Sequence, residues 1–306
     1  MIDIVEKNLL HEISDLDSLP VGAYNIRVNG KAEGRNTTAN IDIVTKTDKP
    51  GIDIYIKPNT INESVHIPVV LSQSGIKDNV YNDFHIGENS DVVIIAGCGI
   101  HNCGDADSQH DGIHTFFIGK NAKVKYVEKH YGEGEGAGKR LLNPTTIVHL
   151  EEGASMEMDT IQIAGVDDTI RKTEATLDKD ASLDIHERIM TTGIQKAVSE
   201  FTADLEGENC SCNIISHAVA KDNSNQHFTS KLNGRNACKG HTECDSIIMD
   251  KAIVVATPQL AAYSTEANLI HEAAIGKIAG EQLIKLMTLG LSEKEAEEQV
   301  IAGFLR

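Results

Sequence analysis

Six cysteines and thirteen histidines are the residues of this 306-residue chain with the most chemistry to offer. The densest group is Cys98-Gly-Ile-His101-Asn-Cys103, with His110 and His114 close behind. Thiolates and imidazoles at that density suit zinc, iron or copper(I), whereas calcium or magnesium would want an all-oxygen shell. An imidazolium beside a thiol also lowers its pKa and creates a nucleophilic thiolate. Cys98 has a third reading as a small interior residue, because free cysteine is among the most buried residue types. Cys210 and Cys212 occupy interior positions of a sequence repeat and read as packing. Cys238 and Cys244 lie in Asn236-Ala-Cys-Lys-Gly-His-Thr-Glu-Cys-Asp-Ser-Ile, where apolar alternation stops and charged residues crowd the thiols. Function is expected where such a pattern breaks. His271-Glu272 completes the candidates, a pair that by itself reads as ordinary surface.

The elements that must position these residues come from that repeat. Gly87-Glu-Asn-Ser-Asp-Val92, Gly119-Lys-Asn-Ala-Lys-Val124, Glu152-Gly-Ala-Ser-Met156, Lys179-Asp-Ala-Ser-Leu183, Gly207-Glu-Asn-Cys-Ser-Cys212 and Gly234-Arg-Asn-Ala-Cys-Lys239 share one grammar. Its small residues Ser90, Ala122, Ala154, Ala181, Cys210 and Ala237 follow one another at spacings of 32, 32, 27, 29 and 27. Asn, Gly and Asp tolerate the left-handed backbone of a sharp turn, and a small residue packs inside its corner. Val124/Tyr126, Met156/Met158, Leu183/Ile185 and Cys212/Ile214 then alternate with the period of strands that bury one face. Stacked repeats of this kind predict a mainly β protein, a right-handed parallel β-helix-like solenoid over residues 51–263. A β-sandwich is the alternative. Residues 1–50 form a loosely assigned N-terminal segment with a short helix near Val5 to Leu16 and strands at Asn40 to Val44 and Gly51 to Ile56. The Gly132-Glu-Gly-Glu-Gly-Ala-Gly138-Lys-Arg stretch reads as a flexible acidic loop, since no Ser or Thr follows Lys139 as a phosphate loop requires. Residues 264–306 read as a C-terminal helical hairpin: Ile275, Ile278, Leu283 and Leu286 fall at helical spacings, and Ser292 with Glu295 forms a capping-box pair. The hairpin either caps the solenoid or docks a partner.

Composition narrows the function classes. Against 28 Lys and Arg stand 46 Asp and Glu, a net charge of −18, which argues against nucleic acid and against anionic membranes. No segment approaches the roughly 18 apolar residues of a membrane helix, so no membrane insertion is expected. The acidic Met1–Leu19 stretch lacks the basic-then-apolar pattern of a signal peptide, which points to the cytoplasm, where six cysteines would stay reduced. Without tryptophan the chain has poor sugar platforms, which weakens a polysaccharide lyase or hydrolase reading.

A resemblance rests on Glu243-Cys-Asp-Ser-Ile-Ile-Met, Pro258-Gln-Leu, Ile270-His-Glu-Ala-Ala-Ile-Gly-Lys-Ile, Glu281-Gln-Leu, Gly290-Leu-Ser-Glu-Lys-Glu-Ala and Ile301-Ala-Gly-Phe-Leu. In order and spacing these resemble the C-terminal signature of the SufB/SufD family of the SUF iron–sulfur cluster assembly system. Val65-His-Ile-Pro-Val69, Ile95-Ala-Gly-Cys98, Ile113-His114 and Ala122-Lys-Val-Lys-Tyr126 resemble its start and middle more weakly. The resemblance implies a β-helix core with a C-terminal helical domain, no catalytic activity of its own, and a complex with a SufC-type ATPase at that domain. It implies sulfur acceptance at Cys98 from a sulfur donor protein, and a transient iron–sulfur cluster held by Cys244 with Glu272 and His271. His101, Cys103 and His110 have no counterpart in the resemblance, and the chain is shorter than SufB and lacks SufB's N-terminal Cys-rich motif. A SufB-like cysteine and a SufD-like histidine in one chain favour a homodimer over a SufB/SufD-like heterodimer. The alternative is a SufD-like structural or regulatory partner of the ATPase that holds no cluster. The resemblance does not extend to the flavin sometimes linked to the larger complex.

Overall fold

The computed structural model describes residues 3–16 and 18–306. Its strands form two sheets that the chain visits in turn. The first sheet runs β2 (Lys31–Asn36), β1 (Ala23–Val28), β5 (Ile61–Leu71), β7 (Asp91–His101), β9 (Lys123–Glu133), β12 (Ser155–Ala164), β14 (Ser182–Thr191), β16 (Ser211–Ala220), β18 (Lys239–Ile248) and β20 (Asn268–Gly276). The second runs β19 (Ile253–Ala262), β17 (Asn225–Gly234), β15 (Lys196–Leu205), β13 (Asp168–Leu177), β10 (Arg140–Leu142) with β11 (Thr145–Leu150), β8 (Ser108–Ile118), β6 (Lys77–Ile86), β4 (Gly51–Ile56) and β3 (Ile41–Thr45). Pairing is parallel throughout except at the N-terminal β1–β2 and β3–β4 hairpins. The result is a parallel β-solenoid of about 8 turns, as the repeat predicts, and not a sandwich.

Register explains the repeat. Val124 pairs with Met156, Met156 with Leu183, and Leu183 with Cys212, so inward residues stack in columns. These side chains are buried between the sheets, while the alternate residues face out. The corners turn at Asn89, Asn121, Gly153, Asp180 and Asn209, all with positive φ, each followed by a buried small residue. The sixth corner departs from the expectation. Four residues separate β17 from β18, against five between β15 and β16, and none is left-handed. Cys238 therefore takes the buried position, and Ala237 does not.

Two further expectations change. Gly132 to Lys139 is not a free loop but lies against residues 102–106, with Gly136 N donating to Asn102 O at 3.0 Å and Gly138 N to Gly104 O at 2.9 Å. A Cβ at Gly134, Gly136 or Gly138 would come within 2.4, 2.3 or 2.1 Å of that backbone, which accounts for the glycines. The strand pattern also continues beyond 264: β20 pairs in register with β18 through Gly276, so that the Ile275–Ile278 spacing that mimics a helix turn is overridden by sheet pairing. Helices then follow as α2 (Gly280–Thr288) and α3 (Glu293–Phe304), the latter with the Ser292/Glu295 capping box. They do not cap the solenoid. Ile301, Phe304 and Leu305 pack against Met190, Val219 and Ile247 at one side of the first sheet. Among the described residues no strand pairs with the outer edges of β19 and β20.

The N-terminal helix α1 (Ile4–Ser14), with its Asp3/Glu6 capping box, covers the outer face of the first sheet. It seats closely because β7 presents Gly97 and Gly99 to it: a Cβ at Gly97 would lie 2.4 Å from the Ile13 carbonyl oxygen. We predict that Gly97→Ala destabilises the protein by about 1–3 kcal/mol through overpacking. Gly276→Ala, whose Cβ would meet nothing within 4 Å, should stay within about 0.5 kcal/mol. Chemical denaturation of both variants checks this, and equal losses would remove the helix seat as the cause.

Candidate functional site

Period-two alternation points Cys98 inward from β7, opposite the outward Gly97 and Gly99 that carry α1. It pairs with His130 on β9, and His110 reaches it from β8 of the facing sheet. Burial pushes the Cys98 thiol up, but His110 and His130 together outweigh it and bring the pKa down to about 7 from an ordinary 9.0. The same contact raises His110 despite its burial, with Asp78 adding to the effect of Cys98. Nδ1 of His110 lies 3.3 Å from Asp78 Oδ2, too poorly aligned for a hydrogen bond but close enough for an ion pair. Arg27 in turn clamps Asp78 with Nε and Nη2 at 2.8 and 2.7 Å. Asp78 therefore stays well below the usual carboxylate range, with burial opposing and Arg27 and His110 prevailing. The centre places a buried thiol beside two imidazoles, His110 and His130, that hold its pKa below the ordinary value.

Polar side chains continue from this pair along the interior. His130 lies 3.7 Å from Glu128 Oε1 and 3.3 Å from Arg171 Nη2. Arg171 binds Glu128 through Nη1 and approaches Glu187 with Nε at 3.7 Å. Glu187 accepts hydroxyl protons from Ser199 at 2.5 Å and Ser216 at 2.7 Å. Ser216 is the register partner of Cys244 on β18, and Glu187, Ser199, Ser216 and Cys244 line one small cavity of about 10 Å³. Glu128, Arg171 and Glu187 are each at most 3% exposed, so only their mutual pairing makes them tolerable there. Burial raises Glu128, yet Arg171 and His130 hold it well below the ordinary range.

His114 is also inside, but it is fully engaged. Its Nδ1 donates to Tyr126 Oη at 2.8 Å, Tyr126 donates to Glu128 at 3.0 Å, and Asn82 Nδ2 lies 3.3 Å from Nε2. Burial lowers its pKa to about 4, so it is a neutral structural histidine. His101 and Cys103 lie on the outside of the solenoid. The dense sequence group thus splits into an interior set, Cys98, His110 and His114, and an outer pair; it does not converge on one metal.

The C-terminal candidates also divide. Cys244 and His271 both point to the inner face, His271 pairing with Thr242 two residues before Cys244. His271 Nδ1 is buried and has no hydrogen-bond partner among the described residues. Burial, the largest influence, takes Cys244 up to about 11 against the opposing contact from Ser246 at 3.8 Å, with Glu187 adding a smaller upward push. Glu272 faces the other way, beside its register partner Glu243 and near His241; their ligand atoms lie within 4.8 Å of one another. Asn213 Oδ1, 2.8 Å from His241 Nδ1, accepts that ring proton and leaves Nε2 as a lone-pair donor. Cys210, Cys212 and Cys238 are buried thiols raised above the ordinary value mainly by burial, in keeping with packing.

The sequence did not single out Asp78, Glu128, His130, Arg171, Glu187, His241 or Glu243. A signal for the interior ones exists. Glu128 and His130 continue the inward phase of Val124 and Tyr126, so charge at an inward position marks them.

Comparison with known proteins adds an independent line. A family profile described as "SUF system FeS cluster assembly, SufBD core domain" matches residues 78–304. An iron-sulfur cluster assembly SufBD family protein of Archaeoglobus fulgidus is 31% identical over 262 residues, covering 84% of this chain and 69% of that one. A namesake from Methanocaldococcus jannaschii is 31% identical over 245 residues, 79% of this chain and 76% of its own. One from Pyrococcus horikoshii is 25% identical over 313 residues, covering 99% of this chain and 94% of its own. With a solenoid core, the matched span and these relatives in agreement, the chain belongs to the SufBD family of iron–sulfur cluster assembly proteins.

Proposed function

We propose that this chain is a scaffold subunit for iron–sulfur cluster assembly, without catalytic turnover of its own, in which Cys98 accepts sulfur and Cys244 with His271 holds the nascent cluster. One observation carries the reading: a thiol of lowered pKa and a second thiol face the same interior, with the paired polar side chains Glu128, Arg171, Glu187 and Ser216 between them. At Cys98 the thiolate attacks the terminal sulfur of a donor persulfide, the donor S–S bond breaks, and the donor thiolate leaves. Arg171 is the buried cation midway along the run, committed to Glu128 and Glu187 on either side.

Iron is the second substrate. Oxygen and imidazole donors at Glu272, Glu243 and His241 suit ferrous iron on the outer face, and the unpartnered nitrogen of His271 beside Cys244 suits the cluster on the inner one. Cys244 is fully buried beside a cavity of only about 10 Å³, so cluster formation requires β18 and β20 to part. An ATPase of the SufC type would bias that equilibrium if its nucleotide states bind the open form better. The chain has no Walker motif of its own. Support for ATPase docking at the hairpin comes from Ile284 and Met287 of α2 and Leu289 just past it, which are exposed while α3 anchors the pair. Support for a homodimer or a related heterodimer comes from the uncovered last coil, where Ile253, Leu260, Tyr263 and Ile270 are exposed beside two free strand edges. Six free thiols suit the reducing cytoplasm, and no helix among the described residues is long and apolar enough to cross a membrane.

A SufD-like role without a cluster has one observation in its favour. Cys244 is held protonated by burial, and a thiol in that state is a poor iron ligand.

Anaerobic reconstitution with iron and sulfide in the presence of the ATPase decides between the two. Cys244→Ala should abolish cluster formation, Glu272→Ala should weaken it, and Cys210→Ala should keep the full complement. A colourless wild-type complex would leave the SufD-like role.

Thiolate absorbance, taken as the difference between wild type and Cys98→Ser, should titrate with a midpoint near 7. His110→Gln removes the cation while burial persists, so the midpoint should rise to 9 or above. An unmoved midpoint would take His110 out of the site.

Removing residues 280–306 should abolish ATPase co-purification. A folded truncation that still binds would place the docking surface elsewhere.

A further inference from the structure

Cys98 is enclosed. Its side chain faces the interior, α1 lies over the other side of its strand, and only 8% of the residue is exposed. Of the six cysteines, Cys103 alone is exposed. It also has partners. Cys103 Sγ lies 3.0 Å from His101 Nε2, and His101 Nδ1 lies 2.9 Å from Glu133 Oε1. A carboxylate only accepts, so His101 Nδ1 carries the ring proton and donates it to Glu133. Nε2 is thereby left with its lone pair directed at the thiol. Nucleophile, base and orienting acid stand in the order that activated thiols and hydroxyls use on unrelated folds.

The backbone holds this arrangement. His101 ends β7 and Glu133 ends β9 as direct register partners, so the histidine–glutamate contact is fixed by the parallel ladder. Next to them Asn102 is fully buried, its amide donating to Ala106 O at 2.9 Å and Lys139 O at 3.2 Å and its Oδ1 accepting from Gly104 N at 3.1 Å. Cys103 is therefore presented between a buried anchor and a glycine. Gly134, Gly136 and Gly138 let the following coil close against this turn from one side, Ser74 of the preceding coil meets it from the other by donating to Ala106 O at 2.9 Å, and the Cys103 side chain stays exposed to solvent.

We propose that Cys103, His101 and Glu133 form the intake site at which sulfane sulfur from a persulfide donor first bonds to this chain, ahead of Cys98. The inference rests on the assembly reading above. His101 takes the Cys103 proton, and the thiolate attacks the terminal sulfur of the donor persulfide R–S–SH. The donor S–S bond breaks, and R–S⁻ leaves and recovers the proton from the imidazolium. The products are R–SH and Cys103–S–SH; one sulfur atom is transferred with no net oxidation or reduction. Cys103 is the nucleophile and His101 the base, while Glu133 is a positioning residue that acts through His101.

The test uses the full chain and two probes, isotope-labelled glutathione persulfide and a persulfide carried on a folded donor protein. Rapid quenching and peptide mass spectrometry should find label on Cys103 first with both. Cys103→Ser should cut labelling of the chain by the protein-borne persulfide at least tenfold. His101→Gln should slow Cys103 labelling by about 10²-fold, the lower range of a lost general base. Glu133→Gln should slow it less, and Glu133→Asp should recover part of the rate, which a merely structural role would not produce. Label reaching Cys98 from the protein-borne donor at an unchanged rate in Cys103→Ser would overturn the proposal, as would an unchanged rate in His101→Gln. Cluster reconstitution from inorganic sulfide separates this from the assembly reading: it bypasses the intake, so Cys103→Ser should still build a full cluster. A wild-type chain that takes label at Cys103 yet builds no cluster from sulfide would sink the assembly reading and leave the intake standing.

Discussion

In-register parallel stacking is the constraint from which the rest follows. Each inward side chain must lie over its equivalent in the next coil, so a residue type that suits one coil is carried along the axis as a column. Where the column is apolar, as at Val124, Met156, Leu183 and Cys212, it supplies the core. Where it is polar the same geometry forces charges together, and opposite signs then have to alternate between coils and sheets. Glu128, Arg171 and Glu187 obey that requirement: the guanidinium sits between two carboxylates that would otherwise be intolerable inside. The interior therefore holds a packed core at one set of positions and a charge network at another, both built from one strand register.

The same register sorts reactivity. Cys98 and His101 are three residues apart on β7 and end on opposite faces. One thiol is tuned by two imidazoles in a dry setting, and the other is exposed beside a single imidazole. Sequence proximity suggests one metal centre there, but alternation divides it into two thiol sites. Alternation likewise separates His271 from Glu272, which are adjacent in sequence and lie on opposite faces of the last strand.

Much of the fold was legible because its signals are local. Left-handed corner residues, small corner fillers and period-two strands each follow from short-range sterics and point to the solenoid, although its parallel pairing starts earlier than residue 51, where β1 pairs with β5. The reading slipped where a local signal had two solutions. Ala237 and Cys238 are both small, and only the shorter corner and the pairing of Lys239 with Ser211 decide which is buried. Ile275 and Ile278 fit a helix turn as well as a strand end, and pairing with β18 decides that too. Cys98 and Cys244 were legible as unusual thiols. Their connection was not, because Arg171, Glu128 and Glu187 are spread over three strands of two sheets and meet only in three dimensions.

The uncovered last coil gives the molecule a gradient of local stability. An inner coil is held by neighbours on both sides, whereas among the described residues β20 hydrogen-bonds to β18 alone and β19 to β17 alone. In a stacked array the free energy of opening a unit rises with the number of interfaces it must break. Until a partner covers that end, the terminal coil is the cheapest part of the solenoid to detach. Cys244 on β18 and the inward His271 on β20 therefore become accessible by fraying one coil, while the charged interior around Arg171 stays closed.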